Sequence, residues 1–223
     1  DLNNIGAVYS DIGKLKPSVE IFKKALDHFQ RSLKLKEEVG DKYGTGVVLV
    51  NIGDAYIQQG KLSHKAEIFT FAISSAQKAL AVFKEIGNPY GTAYCLVKIG
   101  QAFAERNDIS SQAGLLDSSL YYLNAGLKVA KEISAKDLMK DGYSNLSEIY
   151  EKKNNFKEAL AHERLHSDIK DTLLNEENTR HMNEMQTKYE TAEKDKQLIQ
   201  QDAEITKQQA EAKQKAAERN AFI

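Results

Sequence analysis

The sequence predicts an all-α fold, an α-solenoid of stacked helix pairs followed by one long C-terminal helix. Three observations predict it. The motif Asn51-Ile52-Gly53-Asp54-Ala55-Tyr56 returns as Asn4-Ile5-Gly6-Ala7-Val8-Tyr9, Lys98-Ile99-Gly100-Gln101-Ala102-Phe103 and Asn145-Leu146-Ser147-Glu148-Ile149-Tyr150, each copy 47 residues from the last. A period held that strictly marks a repeat array. Between the copies, apolar residues recur at the three- and four-residue spacing of one helical face. Residues 171–220 contain neither Gly nor Pro and are dominated by Glu, Lys, Gln and Ala, the composition of an uninterrupted helix.

Within each period the apolar pattern divides into a helix A and a helix B. In the second repeat, Val48, Leu49, Ile52, Ala55 and Tyr56 form the face of helix A, and Gly60 is expected to end it. Helix B follows with Ala66, Phe69, Ala72, Ile73, Ala76, Leu80, Phe83 and Ile86. The first repeat shows the same helix B in Val19, Phe22, Leu26, Phe29, Leu33 and Val39, with Pro17 expected in its first turn. Gly40 and Gly87 suit the left-handed residue past a helix end, and Asp41 and Asn88 can cap the next helix. The third pair is read at 90–106 and about 113–133, and the fourth at 137–153 with a helix from about Phe156. Repeats then span about 1–42, 43–89, 90–136 and 137–170. Each pair alone leaves an apolar face bare, so neighbours must stack.

Composition narrows the function. The 223 residues carry a formal net charge of -1 with 28% charged side chains of mixed sign, so no nucleic-acid footprint is expected. The one cysteine, Cys95, lies in an apolar run and reads as a small buried side chain. No run of about 18 apolar residues exists to cross a membrane. Asp1 falls in the middle of what the register makes a helix A, so the chain reads as a piece of a longer protein.

These residues resemble the tetratricopeptide family. Its helix-packing glycine falls on Gly6, Gly53 and Gly100, its following aromatic on Tyr9, Tyr56 and Phe103, and the first alanine of its helix B on Ala25, Ala72 and Ala159. The resemblance covers residues 1 to about 170. The usual unit is about 34 residues; the added residues lie between helix A and the first small residue of helix B, and are expected to lengthen helix B at its start. The fourth repeat lacks them and carries Ser147 in place of glycine, as suits a terminal cap.

In that family the groove lined by helix A holds ligands. The residues expected there are Asn4, Asn51, Asp54, Gln58, Lys98, Gln101, Glu105, Asn145, Glu148 and Lys152, with Val50, Val97 and Ser144 beside them. Asn4, Asn51 and Asn145 would form a ladder of amides, each able to donate to and accept from the backbone of an extended peptide. A peptide or protein is the expected partner, and no cofactor is called for.

Residues 171–223 read as a helical linker. Met182, Met185, Tyr189, Ala192, Ile199 and Ala203 keep a roughly seven-residue spacing, so a parallel homodimer through 171–220 is one expectation and a solvated single helix the other. The run Ile169-Lys170-Asp171-Thr172-Leu173-Leu174-Asn175-Glu176-Glu177, with Met185-Gln186-Thr187-Lys188-Tyr189-Glu190, resembles the join between repeats and linker in membrane-bound tetratricopeptide sensor histidine kinases of the Bacteroidetes type. That resemblance implies a sensor region on the periplasmic or extracytoplasmic side, with a membrane span near Asn220-Ala221-Phe222-Ile223 or beyond Ile223 and a kinase or other output module after it. The alternative is a cytoplasmic tetratricopeptide regulator or scaffold that binds a signal peptide or partner protein.

One chemical motif competes. His162-Glu163-Arg164-Leu165-His166 matches the zinc hydrolase pattern, in which two histidines four apart bind the metal and the glutamate acts as base. A third ligand is missing: Ile169 and Thr172 stand where the longer motif needs Gly and His, and Glu184 or Glu190 would lie roughly 27 Å or more along the same helix. The expectation is therefore a fragment that is not an enzyme, with His162, Glu163 and His166 on a capping helix.

Overall fold

The computed structural model describes residues 1–221, with side chains for residues 1–213. Every element among them is a helix: α1 (Leu2–Leu15), α2 (Val19–Glu38), α3 (Lys42–Ser63), α4 (Ala66–Glu85), α5 (Pro89–Ser110), α6 (Leu115–Glu132), α7 (Lys136–Lys152) and α8 (Phe156–Ala221). The fold is the helical repeat solenoid that the period predicts. The chain divides into a unit from Asp1 to Asp171 and a second from Thr172 onward.

In the first unit, odd-numbered helices are the A helices and even-numbered ones the B helices. Phe22, Ala25, Leu26 and Phe29 of α2 pack between α1 and the Val48, Ile52, Ala55 face of α3. Phe69, Ala72, Ile73 and Ala76 of α4 do the same against Ile99 and Ala102 of α5. Neighbouring A helices touch one another, whereas α2, α4 and α6 make no such mutual contact. The A row is therefore the inner track, and the array curves toward it.

The small positions set the spacing. A methyl on Gly6 would meet the Phe29 ring at 2.6 Å, and one on Gly100 would meet Leu123 at 2.6 Å, so only glycine lets helix B lie that close. Helix ends follow one recipe. The second residue past α2, α4, α6 and α7 is left-handed: Gly40, Gly87, Ser134 and Asn154, with φ of 72, 65, 55 and 57°. Asp41 and Asn88 then cap the next A helix, each accepting a backbone N–H, from Gly44 and Gly91, at 2.8 Å.

Four expectations change. Gly60 does not end helix A. It sits inside α3, where a methyl would meet the Phe69 ring at 2.7 Å, and the helix runs on to Ser63 before His64 turns left-handed. The extra residues of the longer repeat accordingly lengthen helix A more than helix B, since α3 and α5 outrun the in-phase end of α7 by more than a turn. Pro17 precedes the extended N-cap Ser18 rather than standing in the first turn of α2. Val39, past the end of α2, is exposed.

In the second unit, the helix from Thr172 is exposed along its described length except at the half-buried Leu173 and Glu193; Leu174, Met182, Met185, Tyr189, Leu198, Ile199 and Ile205 are all exposed. Its polar side chains bond within the helix, as Gln186 does to Glu190 at 2.7 Å. No described helix is long and apolar enough to cross a membrane. The expected span near Phe222 lies outside the described residues.

Candidate ligand groove

The inner face is set by helix periodicity. With Ile52, Ala55 and Ile99 turned into the core, residues one or two positions away on the same helices, about 100–200° round the axis, turn to the inner side of the curve. Between α5 and α7 this places Lys98, Gln101, Glu105, Asn145 and Glu148 around one polar hollow of about 300 Å³, together with Lys61, Asp141 and Ser144. Val97 edges it but is buried in the core beneath. A smaller hollow between α1 and α3 collects Asn51 and Asp54 with Ser10, Asp11 and Lys14. Asn4 is exposed on α1, Gln58 is half-buried on α3, and Lys152 stands at the end of α7; none of the three lines either hollow.

The asparagines do not contact one another. Asn51 donates to Asn3 at 2.9 Å across α1 and α3, and Asn145 donates back to the Asp141 carbonyl of its own helix at 2.7 Å. What joins the A helices is a series of ion pairs: Asp54 with Lys98 at 3.2 Å, Lys61 with Glu105, and Asp108 with Lys152 at 2.7 Å. Each pair is separated by 44 residues, one repeat less about one helical turn. Opposite charges at that offset are the signal in the sequence that identifies Lys61 and Asp108. The Asp54–Lys98 pair, three-quarters shielded on both sides, is the best protected of these.

A third hollow on this face was not anticipated. Tyr43, Val47 and Val50 of α3 face Tyr90 and Tyr94 of α5 around an apolar pocket of about 140 Å³ with Phe83 behind them. Tyr94 donates to Asp54 at 2.8 Å and carries the Lys98 ammonium over its ring at 5.3 Å, so the pocket adjoins the ion-paired part of the groove. Burial, then the nearby Asp54 carboxylate, holds the Tyr94 phenol protonated. Burial likewise pushes the Cys95 thiol up to about 12, so it is an inert core side chain.

The histidine motif sits at the end of the array. His162 is sandwiched between Tyr150 at 5.3 Å and Tyr143 at 5.8 Å between ring centroids, and its Nδ1 is buried without a partner. His166 reaches Glu163 at 3.4 Å. Among the described residues, no group of three His, Cys, Asp or Glu could hold a metal ion. Tyr9 on His28 and Phe103 on Tyr122 are stacked at the in-phase positions of other repeats, so the imidazole of His162 fills the place of a packing ring.

The tetratricopeptide repeat model matches residues 2–27, the stretch from α1 into α2. The described residues build a helical repeat fold that is tetratricopeptide-like over that stretch. No curated protein matches the chain. Among solved structures, the "DHF58 filament" aligns with a TM-score of 0.47 at 15% identity, over 81% of this chain and 94% of its own. The "de novo designed helical repeat protein DHR64" aligns at 0.37 and 13% identity, over 81% and 95%.

Proposed function

We propose that the first unit binds an extended peptide or a peptide-like segment of a partner protein along the inner face of the A helices, without catalysis. The observation that carries this reading is the polar hollow between α5 and α7, where Gln101, Ser144 and Glu148 line open space rather than a neighbouring helix. Gln101 offers a donor and an acceptor, Ser144 a hydroxyl and Glu148 a charge, the mixture that recognises a backbone and selects side chains. The ion pairs beside it hold neighbouring A helices in register, so the groove is built before a ligand arrives.

The same reading extends to the parent protein: the array is a sensor region, and the helix from Thr172 is a dimerising linker to an output module of the histidine kinase kind, placing the array outside the membrane. The exposed Met182, Met185, Tyr189 and Ile199 stripe supports a paired helix. A cytoplasmic adaptor is the second reading, favoured if the linker stays monomeric.

The test is an immobilised peptide library probed with the whole chain and with a Gln101→Ala/Glu148→Ala variant. Binding that the variant loses supports the groove. Binding unchanged in the variant, or none at all, refutes it. Light scattering of the chain with and without Met182→Lys/Tyr189→Lys tests the linker, and a monomer in both cases would sink the dimer.

A further inference from the structure

We propose that the apolar pocket between α3 and α5 is a side-chain subsite of the groove, and that the ligand is a peptide carrying an aliphatic residue close to a basic one. This rests on the groove reading and names the class of peptide that the groove takes.

The pocket is built rather than incidental. Its floor is the Phe83 ring, pinned between two glycines: a methyl on Gly46 would meet that ring at 2.8 Å and one on Gly91 at 2.5 Å. Asn88 fixes Gly91 by capping α5. The Tyr43 ring stands edge-on to Phe83 at 6.1 Å between centroids. Tyr90 and Tyr94 turn their hydroxyls away, donating to Asp137 on α7 and to Asp54 on α3, so the walls present ring carbon and the methyls of Val47 and Val50. At about 140 Å³ the space suits one side chain, well below the roughly 300–1,000 Å³ of sites for whole small molecules.

The lining of this pocket is not carried into the next repeat, as the period shows. One repeat further on, Asp137 and Asp141 stand at the positions of Tyr90 and Tyr94, Ser144 at that of Val97, and Ala130 at that of Phe83. The inner face therefore changes from aromatic to acidic across α5. In the acidic part Lys61 is taken by Glu105 and Lys98 by Asp54. Asp141 reaches its sequence neighbour Lys140 at 3.5 Å, and Glu148 has no ion pair among the described residues. The net field there is negative and favours a cation. Tyr90 of the pocket wall donates to Asp137, one turn before Asp141 on α7, so a chain with its aliphatic side chain in the pocket can carry its neighbouring residues past Asp141 toward Glu148, about two turns further along that helix.

The experiment titrates the whole chain with labelled peptides of one Gly/Ser background, holding Leu with Arg, Leu with Glu, or Ser with Arg at every separation, beside a random library. The Leu and Arg series should bind tightest. Val50→Asp should remove the advantage of Leu, about tenfold or more for one buried aliphatic side chain. Glu148→Gln should remove the advantage of Arg and leave that of Leu. Tyr43→Ser, at the exposed rim, repeats the pocket test without burying a charge, and unchanged thermal unfolding certifies each variant. If peptides bind but show no preference for the pair, or if neither pocket variant weakens the Leu series, this inference is overturned and the groove reading stands. If no peptide in any series binds, both fall.

Discussion

Ser119 of α6 donates its buried hydroxyl to the Gly100 carbonyl of α5 at 2.6 Å, and in the next pair the hydroxyl changes sides: Ser147 of α7 donates to the Ala159 carbonyl of α8 at 3.0 Å. These are in-phase positions, small on both helices, where A and B approach most closely. A hydroxyl fits on one side only when the other side has at most a methyl.

That crossing yields a contrast between two glycines. Gly100→Ala should destabilise by about 1–3 kcal/mol, because the new methyl meets Leu123 at 2.6 Å and the Ser119 carbonyl at 3.1 Å, and backbone cannot step aside. Gly53→Ala should be neutral or stabilising by up to ~1 kcal/mol, since its methyl finds nothing nearer than the Ala72 carbonyl at 3.4 Å and the helix gains from alanine. Urea midpoints of the two variants decide; equal losses would refute the packing argument.

Position in the array should control the cost of one substitution. Ile99 is fully buried between α4 and α6, while the in-phase Ile5 on α1 is 43% exposed, with no preceding helix B beside it among the described residues. Ile99→Ala is expected to lose about 2–5 kcal/mol and Ile5→Ala less than about 1 kcal/mol. Thermal unfolding of both would show it, and similar losses would mean that the face of α1 is covered.

Acid should weaken the end of the array through His162. Burial, the largest cause, holds its pKa below the usual 6.5, with Lys131 acting in the same direction and Glu158 opposing. The unfolded chain therefore takes up the proton first, so stability is whole above 6.5 and falls as pH drops through that value toward the lower folded pKa. His162→Phe keeps a flat ring between Tyr143 and Tyr150 and should flatten this part of the profile. An identical profile in the variant would assign the effect elsewhere.

Ser134 takes the left-handed place that Gly40 and Gly87 fill without strain, at φ of 55°. Ser134→Gly removes a cost of roughly 1–2 kcal/mol, offset in part by about 0.4–1 kcal/mol of unfolded-chain entropy. A net gain of up to about 1 kcal/mol in chemical unfolding is expected. Asn154→Gly should gain less, because asparagine adopts that conformation more readily. A loss in both would show that the side chains hold these turns.

The helix pairs were legible because their causes are local. A glycine against a ring, an apolar residue each turn, and Gly-Asp or Gly-Asn between helices act through neighbours a few residues away, and the period repeats the evidence. Gly60 misled for the same reason. Read locally it is a stop, but the Phe69 ring that occupies its missing methyl comes from the next helix. On the inner face, Lys98, Gln101, Glu105, Asn145 and Glu148 line one hollow, whereas the partners of the asparagines, Asn3 for Asn51 and the Asp141 carbonyl for Asn145, could not be read from the period.

The sequence by itself determined the all-α class, the order of helices and their pairing, because hydrophobic period and small-residue positions are properties of one segment at a time. Tertiary structure alone decided which inner-face side chains are spent on one another and which line open space. Asp54 meets Lys98, Tyr94 turns its hydroxyl to Asp54 and Phe83 floors a pocket only because adjacent A helices are offset by about one turn. Beside the pocket that arrangement includes the Phe83 ring of α4 seated on Gly46 of α3 and Gly91 of α5 at once, a sum over three elements that no single stretch of the chain contains.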